Sequence, residues 1–346
     1  MTAKDIIQKR KDRWLEWYDL QHDQKLMLVV DYEDDDVTGS RPWPNPDRMD
    51  QRLDWAVKKY HRQISKMAWL QDDRIPFLDL YTGTEIFAEA FGCEVHRTDN
   101  NMPFALPLIN DSKQAAHIRI PELEQTPLYD LIEKARFLRQ QTDKNALLRL
   151  VDIQTPMDIT ALIWDKNSFY IAMLEEPEAI KEVNRKVQTL MVEFLDIWFE
   201  QFGSDYIAHY PDYYMPSGLT LSIDEIGAVS PEMFAEFFLP EVNALSERYG
   251  SLGVHCCAHA KHQWQGLSEI VNLKIINLVQ PDTVIKKAYP YFAKTCCQMH
   301  QWHDTLPVDY MLNHLPEKAH VVLNPPAHSR YEAEALCDAV NQVRFG

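Results

Sequence analysis

Residues 251–264 read SLGVHCCAHAKHQW and place five side chains able to bind a metal, His255, Cys256, Cys257, His259 and His262, within eight positions. The stretch is patterned as strand, loop and helix. Residues 252–257 are short and apolar, as a buried strand is, whereas Leu267, Ile270 and Val271 return at helical spacing. Parallel α/β folds collect their chemistry at the carboxyl ends of strands, where this cluster falls. His255 and Cys257 are two apart on an extended segment and so point to one side, which suits a metal held by nitrogen and sulfur. The same residues also suit a buried strand followed by solvated histidines on a helix's first turn.

Outward from this stretch the chain alternates. Apolar runs at 74–81 (RIPFLDLY), 146–153 (ALLRLVDI), 205–209, 219–223, 252–257, 273–279, 293–298 and 321–324 read as short strands. Helices lie between most of them. The clearest covers 178–202, with Pro177 in its first turn, Gly203 just past its end, and Ile180, Val183, Val187, Leu190, Phe194 and Trp198 on one face. Another covers 231–249 with Ser230 as cap and Gly250 as stop, Thr126-Pro127 opens a third, and Ser329-x-x-Glu332 is a capping box for the last. About eight strand–helix repeats without a glycine-rich first turn predict an α/β protein, a single (β/α)8 TIM barrel. Residues 73–346 are assigned to the barrel, and residues 1–72 to an N-terminal helical extension packed on it. That extension has helical patterns at 6–20 and 50–70. Between them, the apolar run KLMLVV (25–30) could be a strand and the acids at 33–36 read as a solvated loop. Residues 82–125 form an excursion over the barrel mouth.

Composition removes several functions. A net charge of −17 opposes nucleic-acid binding, which needs clustered Lys and Arg. Among ten glycines there is neither a G-x-G-x-x-G nor a Walker A pattern. The charged start and the lack of a long apolar run predict a cytoplasmic protein off the membrane. Six cysteines as two adjacent pairs and two singles read as reduced thiols.

The motifs TGTEIFAEAFGCEV (82–95), LVDIQTPMDITALIW (150–164), EEPEAIKEVNRKV (175–187), SPEMFAEFFLPEV (230–242) and VHCCAHAKHQW (254–264) occur in an order that resembles the uroporphyrinogen decarboxylase-like superfamily, in particular its cobamide-dependent methyltransferase branch. The arginine-rich signature of the true decarboxylases is missing. The resemblance implies a zinc ion held by His255 and Cys257 that activates a small thiol, and a corrinoid carried on a partner protein. It also implies a third cysteine near the last strand, where HVVLNPPAHSRY (320–331) offers Asn324 instead. TCCQMHQWH (295–303) supplies the expected replacement, so Cys297 and His300 complete the predicted metal set. Asp152 and Asp224, at strand ends, are the candidate acids and bases, and Asp79, Tyr81 and Asn324 the candidate substrate contacts. The expectation is a methyltransferase acting on a small molecule, with a homodimer left open. The alternatives are a metal-independent decarboxylase and a barrel that binds a ligand without turnover.

Overall fold

A computed structural model describes residues 2–23, 25–32 and 39–345; the acidic run at 33–36 lies outside them. Eight strands carry the architecture: β1 (Leu26–Leu28), β2 (Phe77–Leu78), β3 (Leu147–Leu148), β4 (Leu219–Ser222), β5 (Leu252–Cys256), β6 (Leu273–Leu278), β7 (Cys297–Gln298) and β8 (Val321–Leu323). Six form one parallel sheet in the order β1-β8-β7-β6-β5-β4. β2 and β3 pair in parallel, and a parallel bridge from Gln154 to Ser222 joins the extension of β3 to β4. First strand beside last is the order of a (β/α)8 barrel.

The apolar run at 25–30 is therefore a barrel strand, and the segment before residue 73 supplies it. Between β1 and β2 no strand pairing is present among the described residues. Asp73 spans that seam: its N–H donates to Leu28 O (2.7 Å), and its Oδ2 accepts from Leu28 N–H (2.7 Å). Fully buried, it also pairs with Arg13 of the helix Ala3–Tyr18 and, at 2.5 Å, with Arg344 of the helix Arg330–Phe345.

The helices follow their local signals. Pro177–Phe202 starts on its proline, buries the whole predicted face, and stops at Gly203, whose φ of +86° lacks the penalty a Cβ would bring. The helix expected over 231–249 is continuous but switches to π-type winding at Phe234–Phe238, where Leu239 N–H reaches back to Phe234 O. Pro240 is the cause, because a proline has no N–H to give and its ring crowds the preceding turn. The predicted strand at 293–298 shortens to Cys297–Gln298, since the preceding helix runs to Phe292. Residues 82–125 carry a short helix (Ile86–Ala90), a two-stranded ribbon (Val95–His96 with Phe104–Ala105), one further turn of helix (Ser112–Ala115) and a 3-10 turn (Leu123–Gln125). No helix among the described residues is long and apolar enough to cross a membrane.

Candidate functional site

At the carboxyl ends of β3, β4 and β5 lies a cavity of about 370 Å³, with Asp152, His209, Ser222, Asp224, His255 and Cys257 on its wall. The strands fix their directions. His255 is the penultimate residue of β5, and Cys257 follows it onto the same side. His255 Nδ1 donates to Asn277 Oδ1 on β6 (2.6 Å), while the amide of Asn277 is held by donating in turn to Met299 O. That leaves Nε2 facing the Cys257 sulfur at 2.9 Å. Burial, and then the nearby carboxylates of Asp224 and Asp152, push the Cys257 thiol up to about 12, so at neutral pH it keeps its proton and donates it to His255.

Asp152 and Asp224 stand where strand-end chemistry requires. Burial raises Asp152 to about 6, against the opposing pull of His255 and Arg149. Burial raises Asp224 too, and its Oδ1 accepts the Cys257 N–H at 2.6 Å. His209 Nε2 lies 3.1 Å from Asp152 Oδ1 and 2.9 Å from Ser222 Oγ. Serine, histidine and aspartate thus meet, but at one ring nitrogen. A nucleophilic triad needs acid and hydroxyl on opposite nitrogens, so this arrangement does not activate Ser222. Burial, followed by His255 and Arg149, drives His209 well below its ordinary value, so the ring is neutral.

A second lobe of about 370 Å³ shares Arg41, Arg149 and Tyr210 with the first. Its wall carries Lys59 and Arg74 as well, together with Asp31 and with Asp212, which pairs with Arg74 and Arg149 at 3.2 Å, so the cations exceed the acids there. Asp79 serves this cationic side. Burial would raise it, but Arg149, Lys59 and Arg41 outweigh that and hold it at about 2. Its carboxylate lies 3.1 Å from Arg149 and 3.5 Å from Arg41. Tyr81 (φ +42°) carries the Arg41 guanidinium 3.4 Å above its ring and donates to Met102 Sδ at 3.0 Å. Asn324 lines the cationic lobe and donates to Val29 O at 2.6 Å; it is not on the wall beside Cys257.

Cys297 and His300 do not join the cluster, which corrects the expected metal set. Cys297 is buried against the N-terminal helix, its sulfur donating to Trp17 O at 3.6 Å. His300 has both nitrogens engaged: Nδ1 accepts from Leu278 N–H (3.1 Å) and Nε2 donates to Gln298 Oε1 (2.9 Å). Burial lowers it to about 3, so it is a neutral core histidine. Among the described residues no group of three or more His, Cys, Asp or Glu is disposed to hold a metal. The fit to zinc is thus to a nitrogen–sulfur pair, His255 and Cys257, with the right donor chemistry and the far nitrogen held by an outer acceptor.

Arg149, Arg41, His209 and Ser222 were not singled out in the sequence. Arg149 carried a usable signal as a positive charge inside an apolar strand pattern, and His209 did as the residue ending another.

Fold and site together define a (β/α)8 barrel built to handle a small molecule at the carboxyl ends of its strands. Residues 72–298 match the family described as uroporphyrinogen decarboxylase (URO-D), and the chain belongs to that family. No curated protein matches it. Among solved structures, a methyltransferase from Methanosarcina mazei superposes with a TM-score of 0.68 over 97% of this chain and 99% of its own, at 13% identity. At that identity the likeness is one of fold.

Proposed function

We propose that the chain is a methyltransferase that handles a small substrate beside His255 and Cys257, with zinc on that pair and a corrinoid on a separate protein as the other methyl carrier. The observation that carries this is the 2.9 Å approach of His255 Nε2 to Cys257 Sγ with Nδ1 already committed to Asn277. An imidazole so arranged has one lone pair in a fixed direction, engaged by the Cys257 S–H until a metal takes that proton's place. Zinc, when bound, makes a thiolate available at neutral pH. The two acids beside a thiol raised to about 12 favour the same assignment, since they stabilise a cation and oppose an uncompensated thiolate. The protein's own share is orientation. Asn277 sets the histidine tautomer, Asp224 holds the Cys257 backbone, and Arg41 and Arg149 offer positive charge to an anionic part of the substrate. The shared fold of the Methanosarcina methyltransferase supports the reading.

The test is elemental analysis of untagged protein beside Cys257→Ser, with a methylcobalamin-to-thiol transfer assay on both. About one zinc per chain, lost together with transfer in the variant, is expected. Absence of metal from active wild-type protein would sink the proposal.

One observation favours a second reading, a metal-independent carboxy-lyase. Asp152, raised to about 6 and 3.1 Å from His209, is a general acid near neutrality, and the cationic lobe suits a carboxylate. Turnover of a carboxylic acid by metal-free protein, abolished in Asp152→Asn, would decide for it.

A further inference from the structure

We infer that Asp158, a wholly buried residue off the cavity wall, is the positioning residue of the site: it latches the loop after β4 so that Asp224 holds the loop after β5. Asp158 lies in the first turn of the helix Pro156–Ile163, just after β3. Its Oδ1 accepts two backbone N–H groups at once, Asp224 (2.8 Å) and Glu225 (2.8 Å), and its Oδ2 accepts from the Thr155 hydroxyl. Asp224 Oδ1 then accepts the Cys257 N–H at 2.6 Å. Three successive loops at the barrel mouth are thereby joined through two carboxylates, without any contact between Asp158 and the cavity. One Asp158 oxygen accepts both amides whether or not the other carries a proton, and the burial of Asp158 keeps water from substituting.

A separate observation shows how closely the latched loops fit. A Cβ on Gly227 would come within 2.7 Å of the Ala258 Cβ, so only glycine lets the 224–228 turn lie on the 257–259 segment. The latch has an anchor too. Buried Glu241, on the helix Leu239–Tyr249, accepts from Met157 N–H (3.1 Å) and from Asn184 Nδ2 (2.5 Å). The turn that carries Asp158 is thus fixed to the helices behind it, so Asp158 can hold the loop while remaining still itself.

This inference rests on His255 and Cys257 being the reactive end of the cavity, and not on the reaction or on zinc. Its test therefore uses metal-free full-length protein and no turnover. Hydrogen–deuterium exchange of the backbone amides of residues 257–259 at one pH, resolved by peptide mass spectrometry, reads how firmly that segment is held, since the Cys257 N–H is bonded to Asp224 Oδ1. Asp158→Ala frees both amides, and the rate is expected to rise about tenfold, the scale for losing hydrogen bonds to a buried acceptor. Asp158→Asn keeps an oxygen for the two amides and is expected to stay within about twofold of wild type, which a general loosening of the core would not allow. Gly227→Ala, which forces the same loops apart with Asp158 intact, is expected to match Asp158→Ala and serves as the reading if that variant does not fold. An unchanged exchange rate in folded Asp158→Ala, or in Gly227→Ala where Asp158→Ala fails to fold, would overturn the inference. So would an Asn variant as fast as Asp158→Ala.

Discussion

His255 has one ring nitrogen to spare because Asn277 takes the other, and Asn277 can do so only in the orientation that Met299 O imposes. Under the zinc reading, Asn277→Ala leaves both donors in place and removes what aims them. Metal affinity, measured by competition with a chelator, is expected to fall about 10- to 100-fold, the usual effect of losing an outer partner. Equal affinity in the variant would count against His255 as a ligand. The same chemistry explains what the sequence could not disclose. His255 lies at the end of one parallel strand and His300 just past another, and nothing in their own neighbourhoods separates them. Gln298 and the Leu278 amide consume His300, and those partners become visible only once β6 and β7 lie side by side. His255, Cys257, Asp152 and Asp224 were legible because each sits at a strand end, where the fold itself gathers side chains. Cys297 was misplaced for a related reason: its strand is only two residues long, and its sulfur turns toward Trp17 instead of the mouth.

Among the elements, the helices declared themselves best, since caps, prolines and the apolar stripe act locally. Strands of two or three residues did not, because their identity comes from pairing and not from pattern. β1 is the instructive case: the apolar run ahead of the acidic stretch could be a strand, but nothing local makes it part of the barrel until β8 is beside it. Its far side has Asp73 in place of a neighbouring strand. Replacing Asp73 by Ala leaves Arg344 buried beside no carboxylate and deprives the Leu28 N–H of its acceptor. Urea denaturation is expected to show a loss of roughly 3–5 kcal/mol, the range for breaking a buried pair from one side. A loss below about 1 kcal/mol would place Asp73 with ordinary surface pairs.

The whole molecule carries acids that it keeps protonated at the expense of its own stability. Burial raises Glu85 to about 7 and, with Asp224, raises Asp158 to about 7. Between the ordinary carboxyl range and pH 7 the folded chain keeps these protons and the unfolded chain has lost them. Stability therefore falls as pH rises through that window. Asp79, held at about 2, acts in the opposite sense below pH 4 or so, and the buried neutral His209 and His300 oppose that fall in part below about pH 6.5, where only the unfolded chain protonates them. Thermal melts of the metal-free protein are expected to show a higher midpoint at about pH 5.5 than at 7.5, with Glu85→Gln removing about 1–3 kcal/mol of the difference. A flat profile in wild type would contradict the burial argument.

β1 meets β8 across 295 positions of sequence. A nascent chain therefore cannot close its ring until the last strand has cleared the ribosome. Through most of synthesis the edge of β1 that β8 will cover stays bare, and bare strand edges recruit other chains. The cell meets this protein first as an open sheet, and chaperones have the whole of its translation in which to act on it.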